Sequence, residues 1–155
     1  MSNAYQTGAI ADAIIAAIKS AWYTTSGNSL TIQEDSEPRT IQDLWFVNLK
    51  ALEIIDNPRG PNASVLSVDD LYRYEIILYF PMPPALGTSA GKVARLKATY
   101  AGTLRQYLQT GDGFGGSANL PYVTGVDFRD LSPRPEGSAT LRVKFECHGQ
   151  SPYFN

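Results

Sequence analysis

The chain is poor in the side chains that metal sites and disulfide frameworks require. Its 155 residues include one cysteine, Cys147, and one histidine, His148. A zinc site needs several Cys or His ligands, and a disulfide needs a second thiol. Adjacent residues on a strand point to opposite faces, so these two also cannot form a nucleophile and base pair. We predict that Cys147 lies in the core and that His148 is exposed or at an interface.

Charge is also scarce, and its balance is slightly acidic. Charged residues make up 18% of the chain, and the formal net charge is −2. A protein that neutralises many DNA phosphates needs a basic surface, so tight DNA binding is not expected. The low charge, with nine tyrosines and two tryptophans, favours a protein that buries part of its surface in an assembly.

No hydrophobic run is long enough to span a bilayer. The apolar segment 9–17 is interrupted by Asp12 and has no basic residue before it. This pattern argues against both a signal peptide and a membrane helix. Internal repeats and low-complexity tracts are absent as well. The expectation is one soluble, unprocessed domain over residues 1–155, compatible with a reducing cytoplasm.

Two segments have apolar residues at helical spacing. Residues 7–22 place them four positions apart, and residues 88–109 place them at steps of three and four. Such stripes are typical of helices that pack by one face. We predict that these stripes and the apolar face of the last strand form the core. The predicted core residues are Ile14, Ile18, Trp22, Val93, Leu96, Tyr100, Leu104, Val143 and Phe145.

Basic side chains occupy the rest of the second helix. They are Lys92, Arg95, Lys97 and Arg105. A solvated helix face explains them, and so does a surface that meets an acidic neighbour. Both interpretations place all four side chains outside the core.

Five segments have the composition or alternation of β-strands. They are 30–33, 44–56, 71–80, 122–130 and 138–148. In the last, Ala139 to Cys147 alternate apolar residues with Arg142, Lys144 and Glu146, which indicates one face in a core and one facing solvent or a partner. The sequence therefore predicts an α+β fold with a mixed or antiparallel sheet and two amphipathic helices packed on it.

The longest connection, 57–70, is the predicted contact loop. It contains Asn-Pro and Gly-Pro pairs and exceeds the usual hairpin length, and long loops of this kind are often functional. Together with the basic helix it supplies the predicted contact residues. These are Asn57, Arg59, Asn62, Ser64, Leu66, Asp69, Lys92 and Arg95.

Several short segments have the residue types of binding or catalytic motifs. The segment Gly111–Gly116 has the letters of a dinucleotide fingerprint but follows a helix instead of a strand, so a flexible loop is favoured. The carboxylate pairs Glu34-Asp35 and Asp69-Asp70 favour a surface or structural role, with a Mg²⁺ or Ca²⁺ site as the alternative. Asn62-Ala63-Ser64 is a glycosylation sequon by letters only. We predict no catalytic, cofactor-binding or metal-binding residue.

The order of the elements resembles that of the tail terminator proteins of tailed bacteriophages. The likeness covers most of the chain, with an N-terminal amphipathic helix, a long hairpin over Leu44–Phe80 and a second helix over Gly91–Gln109. A hairpin then closes the chain, and its last strand reads Ala139-Thr140-Leu141-Arg142-Val143-Lys144-Phe145. The resemblance lies in element order, size and the style of this closing strand.

The resemblance implies a structural, non-enzymatic protein without cofactors. Such a protein forms a homohexameric ring on the tail tube protein and presents a docking surface for the head-side connector or stopper protein. In a contractile phage the ring would also contact the tail sheath. It would be assembled in the host cytoplasm and located in the neck region of the virion tail. Genome DNA would pass through the channel without specific binding, and no membrane would be involved.

Two other classes are alternatives. One is another phage neck or tail component of similar size, such as a head-closure or tube-connecting protein. The other is a small α+β ligand-binding or hydrolytic enzyme. The assembly state separates the ring-forming classes from the enzyme, because an enzyme of this size is expected as a monomer or dimer.

Overall fold

The described part of the chain contains two helices and five strands with several of their connections. The computed structural model describes residues 7–26, 30–40, 42, 44–55, 67–82, 90–110 and 119–152. In chain order the elements are α1 (Thr7–Ser26), β1 (Thr31–Glu34), β2 (Phe46–Ile55), β3 (Ser67–Pro81), α2 (Ala90–Thr110), β4 (Asn119–Asp127) and β5 (Ser138–Pro152). Neither helix is long and apolar enough to cross a membrane.

The strands form one mixed sheet in the order β1-β2-β3-β5-β4. β1 runs parallel to β2, and every other neighbouring pair is antiparallel. β3 and β5 pair along their full length, from Ser67 opposite Pro152 to Pro81 opposite Ser138. Together with the helices this confirms the predicted α+β fold.

Both helices pack on the same side of the sheet. The main core there joins α1 residues such as Ile14, α2 residues such as Leu104, and the inward residues of β3 and β5. The Tyr74 hydroxyl donates a hydrogen bond to the Thr7 carbonyl at 3.1 Å, which ties the start of α1 to β3. The predicted inward face of the last strand is confirmed, because its members are all fully buried. They are Ala139, Leu141, Val143, Phe145 and Cys147.

The predicted core is correct except at the start of α2. Leu96 and Tyr100 are partly buried and pack against the main core, and the remaining predicted side chains other than Val93 are buried. Val93 is partly exposed and belongs to neither cluster of the described residues. It lies within the first four residues of a helix that begins at Ala90, near the end of the packed stripe.

Trp45 adopts a backbone conformation that bulky residues rarely use. Its φ is 61°, in the left-handed region, and such a residue costs of order 1–3 kcal/mol. Its ring contacts Trp22, Phe80 and Tyr100 at centroid distances of 6.0, 6.0 and 5.5 Å. Each aromatic pair is worth about 0.5–1.5 kcal/mol beyond its buried area, so these contacts are sufficient to offset the strain.

A smaller apolar cluster covers one end of the opposite sheet face. Phe46, Ile77 and Tyr79 are buried there, with Leu44 and Leu131 packed against them. Leu131 lies in the β4–β5 connection, which is held to β5 by the hydrogen bond from its amide to the Thr140 hydroxyl at 2.7 Å. In the turn before β5, Gly137 has a positive φ of 77°.

The strands extend beyond their predicted bounds at the far end of the sheet. The expectation that residues 67–70 belong to the contact loop is wrong, because they form the start of β3 and pair with residues 149–152 of β5. Gly149 permits this extension, since a Cβ there would lie 2.8 Å from Tyr72 Cε1 and 3.1 Å from Ile10 Cδ1. At the other edge, β4 ends at Asp127 instead of continuing to Asp130.

Truncation of Leu104 should test the assigned core. Its side chain is fully buried in the main core, so Leu104→Ala is expected to lower the free energy of unfolding by about 2–5 kcal/mol. The neighbouring Arg105 is exposed, and Arg105→Ala should change the free energy of unfolding by less than about 0.5 kcal/mol. Denaturant unfolding measures both. Equal effects of the two substitutions would contradict this packing of α2.

Candidate functional site: an uncovered sheet face and a basic helix

One side of the sheet carries no helix in the described part of the chain. Because α1 and α2 both pack on the other side, no described helix covers the outward residues beyond the smaller apolar cluster. We call this surface the uncovered sheet face. It consists of Lys50, Glu53, Ile55, Leu71, Arg73, Glu75, Tyr122, Asp127, Arg142, Lys144, Glu146 and His148.

A row of polar contacts crosses this face through four strands. Arg73 on β3 pairs with Glu53 on β2 at 2.5 Å and with Glu146 on β5 at 2.9 Å. The Tyr122 hydroxyl on β4 donates to the same Glu146 carboxylate at 2.6 Å. This hydrogen bond raises the pKa of Tyr122, so the phenol stays a donor.

A second row runs parallel to the first. Arg142 on β5 pairs with Asp127 on β4 at 2.5 Å and approaches Glu75 on β3 at 3.8 Å. Arg129 also pairs with Asp127, at 2.8 Å, and the hydrogen bonds from Arg129 and Arg142 hold the pKa of Asp127 well below its usual range. The Arg73–Glu53 pair is exposed, and an exposed ion pair is worth about 0–1 kcal/mol. The other pairs include less accessible side chains, such as Glu146 at 11% and Asp127 at 17% exposure. Together the pairs give this face a fixed pattern of both charge signs.

Apolar side chains are exposed on β2 and at β4. At β2 they include Ile55, and at β4 they include Val126 and, one residue after the strand, Phe128. Interface surfaces typically mix such apolar groups with a polar rim. The full set of large exposed apolar residues in the described chain is Leu52, Ile55, Tyr122, Val126 and Phe128.

The sheet has two edges, and they differ. Within the described residues β1 pairs only with β2, and β4 pairs only with β5. β1 is four residues long and parallel to its neighbour, whereas β4 is nine residues long and antiparallel. The Gln109 side chain of α2 accepts a hydrogen bond from the Val123 amide of β4 at 2.9 Å, so α2 satisfies one backbone donor of that edge strand.

The predicted contact residues Lys92 and Arg95 are exposed on α2, and so is Arg105. α2 contains no acidic residue, and none of these three side chains forms an ion pair with a described residue. We call Lys92, Arg95 and Arg105 the basic helix face. Their role as contacts stays a prediction.

The expectation that Lys97 belongs to this exposed face is wrong. Its side chain is 3% exposed, and its Nζ donates to the Asp130 carboxylate at 2.7 Å and to the Phe128 carbonyl at 2.6 Å. Asp130 also accepts a hydrogen bond from the Thr140 amide at 2.9 Å. Burial alone would raise the pKa of Asp130, but these hydrogen bonds and the charge of Lys97 hold it below its usual range.

Of the other predicted contact residues, only Asp69 lies within the described part of the chain. Asn57, Arg59, Asn62, Ser64 and Leu66 lie outside the described residues, as do the Gly-rich segment 111–116 and the sequon at Asn62. Asp69 lies in β3 opposite Gln150. The contact hypothesis for residues 57–66 therefore stays a prediction from the sequence.

The cysteine, the histidine and the carboxylate pairs considered as chemical groups occupy ordinary core or surface positions in the described chain. Cys147 is buried in the main core as predicted, and burial raises its thiol pKa to about 12. His148 is partly exposed, opposite Leu71. Glu34 and Asp35 are exposed, whereas Asp70 is buried in β3. No group of three or more His, Cys, Asp or Glu side chains within the described ranges could hold a metal ion.

Two adjoining polar clefts open beside β1. Their volumes are about 550 and 450 Å³, and Ser36, Glu37, Pro38 and Arg39 line both. Asn48 lies at the base of the second cleft and accepts a hydrogen bond from the Ser36 amide at 3.0 Å. The clefts form a concave polar border at this edge of the sheet.

No protein-family model matches the chain, and no curated protein matches it. Functional inference therefore depends on the surfaces described above. The polar rows of the uncovered sheet face were not predicted from the sequence. The sequence does show opposite charges at the outward positions of strands 71–80 and 138–148. Which of these residues pair with each other can be read only from the strand register.

The Lys97–Asp130 pair predicts an acid-sensitive contribution to stability. The folded-state pKa of Asp130 is lowered, so its contribution is complete above the unfolded pKa of about 3.9 and is lost as the pH falls through the lower folded value. At pH about 7, Lys97→Met should cost about 1–3 kcal/mol. It should cost more than the Lys97→Met/Asp130→Asn double variant, because the single substitution removes the nearest cation of the Asp130 carboxylate and leaves it only Arg134 at 3.7 Å.

Denaturant unfolding from pH about 7 to about 2 measures this double-mutant cycle. The coupling between the two residues should shrink toward zero at the acidic end. A coupling that is zero at neutral pH, or that does not change with pH, would show that the pair does not anchor α2 to the β4–β5 connection.

Proposed function

We propose that this chain is the subunit of a hexameric ring that caps a bacteriophage tail tube and connects it to the head-side neck. The observation that supports this most is the pair of unlike sheet edges at opposite ends of one protomer. A closed ring of identical subunits needs a heterologous interface, in which one patch meets a different patch on the next copy. The β1 edge and the β4 edge with α2 supply two such patches.

The uncovered sheet face fits the same role. Its ion pairs leave a patterned surface of both charge signs, which suits contact with other protein rings better than contact with a polyanion. In the proposed assembly it lies against the tail tube protein, the head-side connector or stopper protein, or a tail sheath. Electrostatic pattern of this kind supports specificity of docking more than affinity.

The charge of the ring suits a channel for DNA. Six copies of a chain with a formal charge of −2 carry −12. Physiological salt screens this charge beyond about 8 Å, so it discourages phosphate contacts only at the channel wall. A protein that guides DNA without retaining it needs few cationic contacts along the path.

Mass photometry and electron microscopy test the ring directly. The purified protein, alone or on tail tubes, is expected to form particles of six copies with an open channel. Duplex DNA should bind no more tightly than the usual non-specific range of roughly 10⁻⁴ to 10⁻⁶ M. A protein that stays monomeric in both settings, or that binds duplex DNA at sub-micromolar, salt-sensitive affinity, would contradict the proposal.

Replacement of residues 57–66 by a short Gly-Ser linker tests the predicted contact loop. The change retains residues 67–70, which pair with β5, so the monomer should unfold at an unchanged denaturant concentration. Assembly into rings or onto tubes should weaken, because the proposed contacts of Asn57, Arg59 and Asn62 would be removed. Normal rings and complete tails from the shortened chain would show that the segment makes no required contact.

A further inference from the structure

Two exposed surfaces of opposite charge lie at opposite ends of the sheet. The basic helix face belongs to α2, which packs over β4 and β5. An acidic segment follows β1 at the other edge. We call it the acidic turn, and it consists of Glu34, Asp35 and Glu37, all of which are exposed. Arg39 lies beside it, so residues 34–39 carry three carboxylates and one guanidinium.

These charges do not neutralise each other within one protomer. Four strand spacings separate the β1 and β4 edges, which is about 19 Å at about 4.8 Å per spacing. That distance is more than twice the Debye length of about 8 Å in physiological salt. The basic helix face also has no ion pair among the described residues. Within the described residues the basic helix face is therefore left with uncompensated positive charge that a second copy can pair.

The segments that carry the two surfaces are attached near one register row of the sheet. This row crosses the sheet through Asn48, Ile77, Arg142 and Asp127. The acidic turn is attached at one end, where the Asn48 side chain accepts a hydrogen bond from the Ser36 amide. α2 is attached at the other end, where Lys97 donates a hydrogen bond to the Phe128 carbonyl.

The three side chains of the acidic turn are exposed at the β1 edge. On the helix side, Ile32 of β1 packs against the main core. On the other side, the chain passes over Asn48, and Glu37 lines the polar clefts at that border. At the other edge, Val126 of β4 and Phe128, whose carbonyl accepts a hydrogen bond from Lys97 of α2, are exposed. One edge therefore has a concave polar border, and the other has exposed apolar side chains together with the basic helix.

We propose that the basic helix face of one protomer docks on the acidic turn of the next copy of this chain, as the repeated contact of a closed ring. This inference rests on the ring of the proposed function and names its interface. The contact is heterologous, because each protomer contributes its α2 surface to one neighbour and its β1 edge to the other. Val126 and Phe128 lie at the centre of the contact, and the charges form its rim.

Charge reversal tests the pairing. The Lys92→Glu/Arg95→Glu variant and the Glu34→Lys/Glu37→Lys variant should each lower the ring population at least about tenfold in physiological salt. Asp35 is left unchanged because its φ of 49° makes substitution there strained. Combining all four substitutions in one chain restores opposite charges at every interface. The combined variant should recover rings to within about threefold of the original protein, as measured by mass photometry.

Matched reversals on α1 serve as controls. Asp12 and Lys19 are exposed there, and Asp12→Lys and Lys19→Glu should leave the ring population unchanged. Circular dichroism and unfolding curves verify that every variant is folded. Rings that persist after either double reversal would overturn the named interface and leave the proposed function standing. So would controls that weaken assembly equally.

Two remaining outcomes are also decisive. If the basic-face reversal abolishes the ring and the combined variant does not restore it, α2 meets a different acidic partner and the named interface is wrong. If the unchanged protein stays monomeric alone and on tail tubes, the proposed function fails together with the interface. Raised salt should weaken the original ring and the combined variant in parallel, because both depend on screened charges.

Discussion

The antiparallel ladder between β3 and β5 determines most of the molecule. It runs without a break from Ser67 opposite Pro152 to Pro81 opposite Ser138, and it joins the first hairpin to the second. Because side chains alternate along a strand, this ladder divides the sheet into an apolar side that binds both helices and a side with charged residues that no described helix covers. A shift of one residue in register would reverse both sides at once, so the core and the uncovered sheet face depend on the same pairing.

The two sides differ in how they contribute energy. Burial of large side chains such as Leu104 and Phe145 supplies the stability, whereas ion pairs such as Arg73 with Glu53 contribute little because both side chains are substantially exposed. In the proposed assembly, the fixed pattern of donors and acceptors would specify which partner surface fits.

Periodicity predicted the helices and strands that bury one face. It failed at residues whose burial or backbone conformation is determined by tertiary contacts. The inward face of β5 and the α2 stripe around Leu104 follow from spacing alone. Lys97 looked like a solvated cation, because its partner Asp130 is distant in sequence and meets it only through the β4–β5 connection. Trp45 could not be predicted either, since its positive φ depends on rings from α1, β3 and α2. The cross-strand ion pairs required a register that one sequence does not show.

The parallel direction of β1 links the core to the proposed interface. A parallel neighbour cannot be reached by a tight turn, so the chain must cross back over the sheet before β2 begins. That connection is described at residues 35–40, 42, 44 and 45. It contains Asp35 and Glu37 of the acidic turn, lines the polar clefts and ends at Trp45, which packs on Trp22, Phe80 and Tyr100. The aromatic contacts therefore fix one end of the same segment whose other end carries the exposed charge. An edge strand paired antiparallel through a short hairpin would provide neither the clefts nor the charged border. The asymmetry between the two sheet edges, on which a heterologous ring depends, thus originates in the connection that the parallel strand requires.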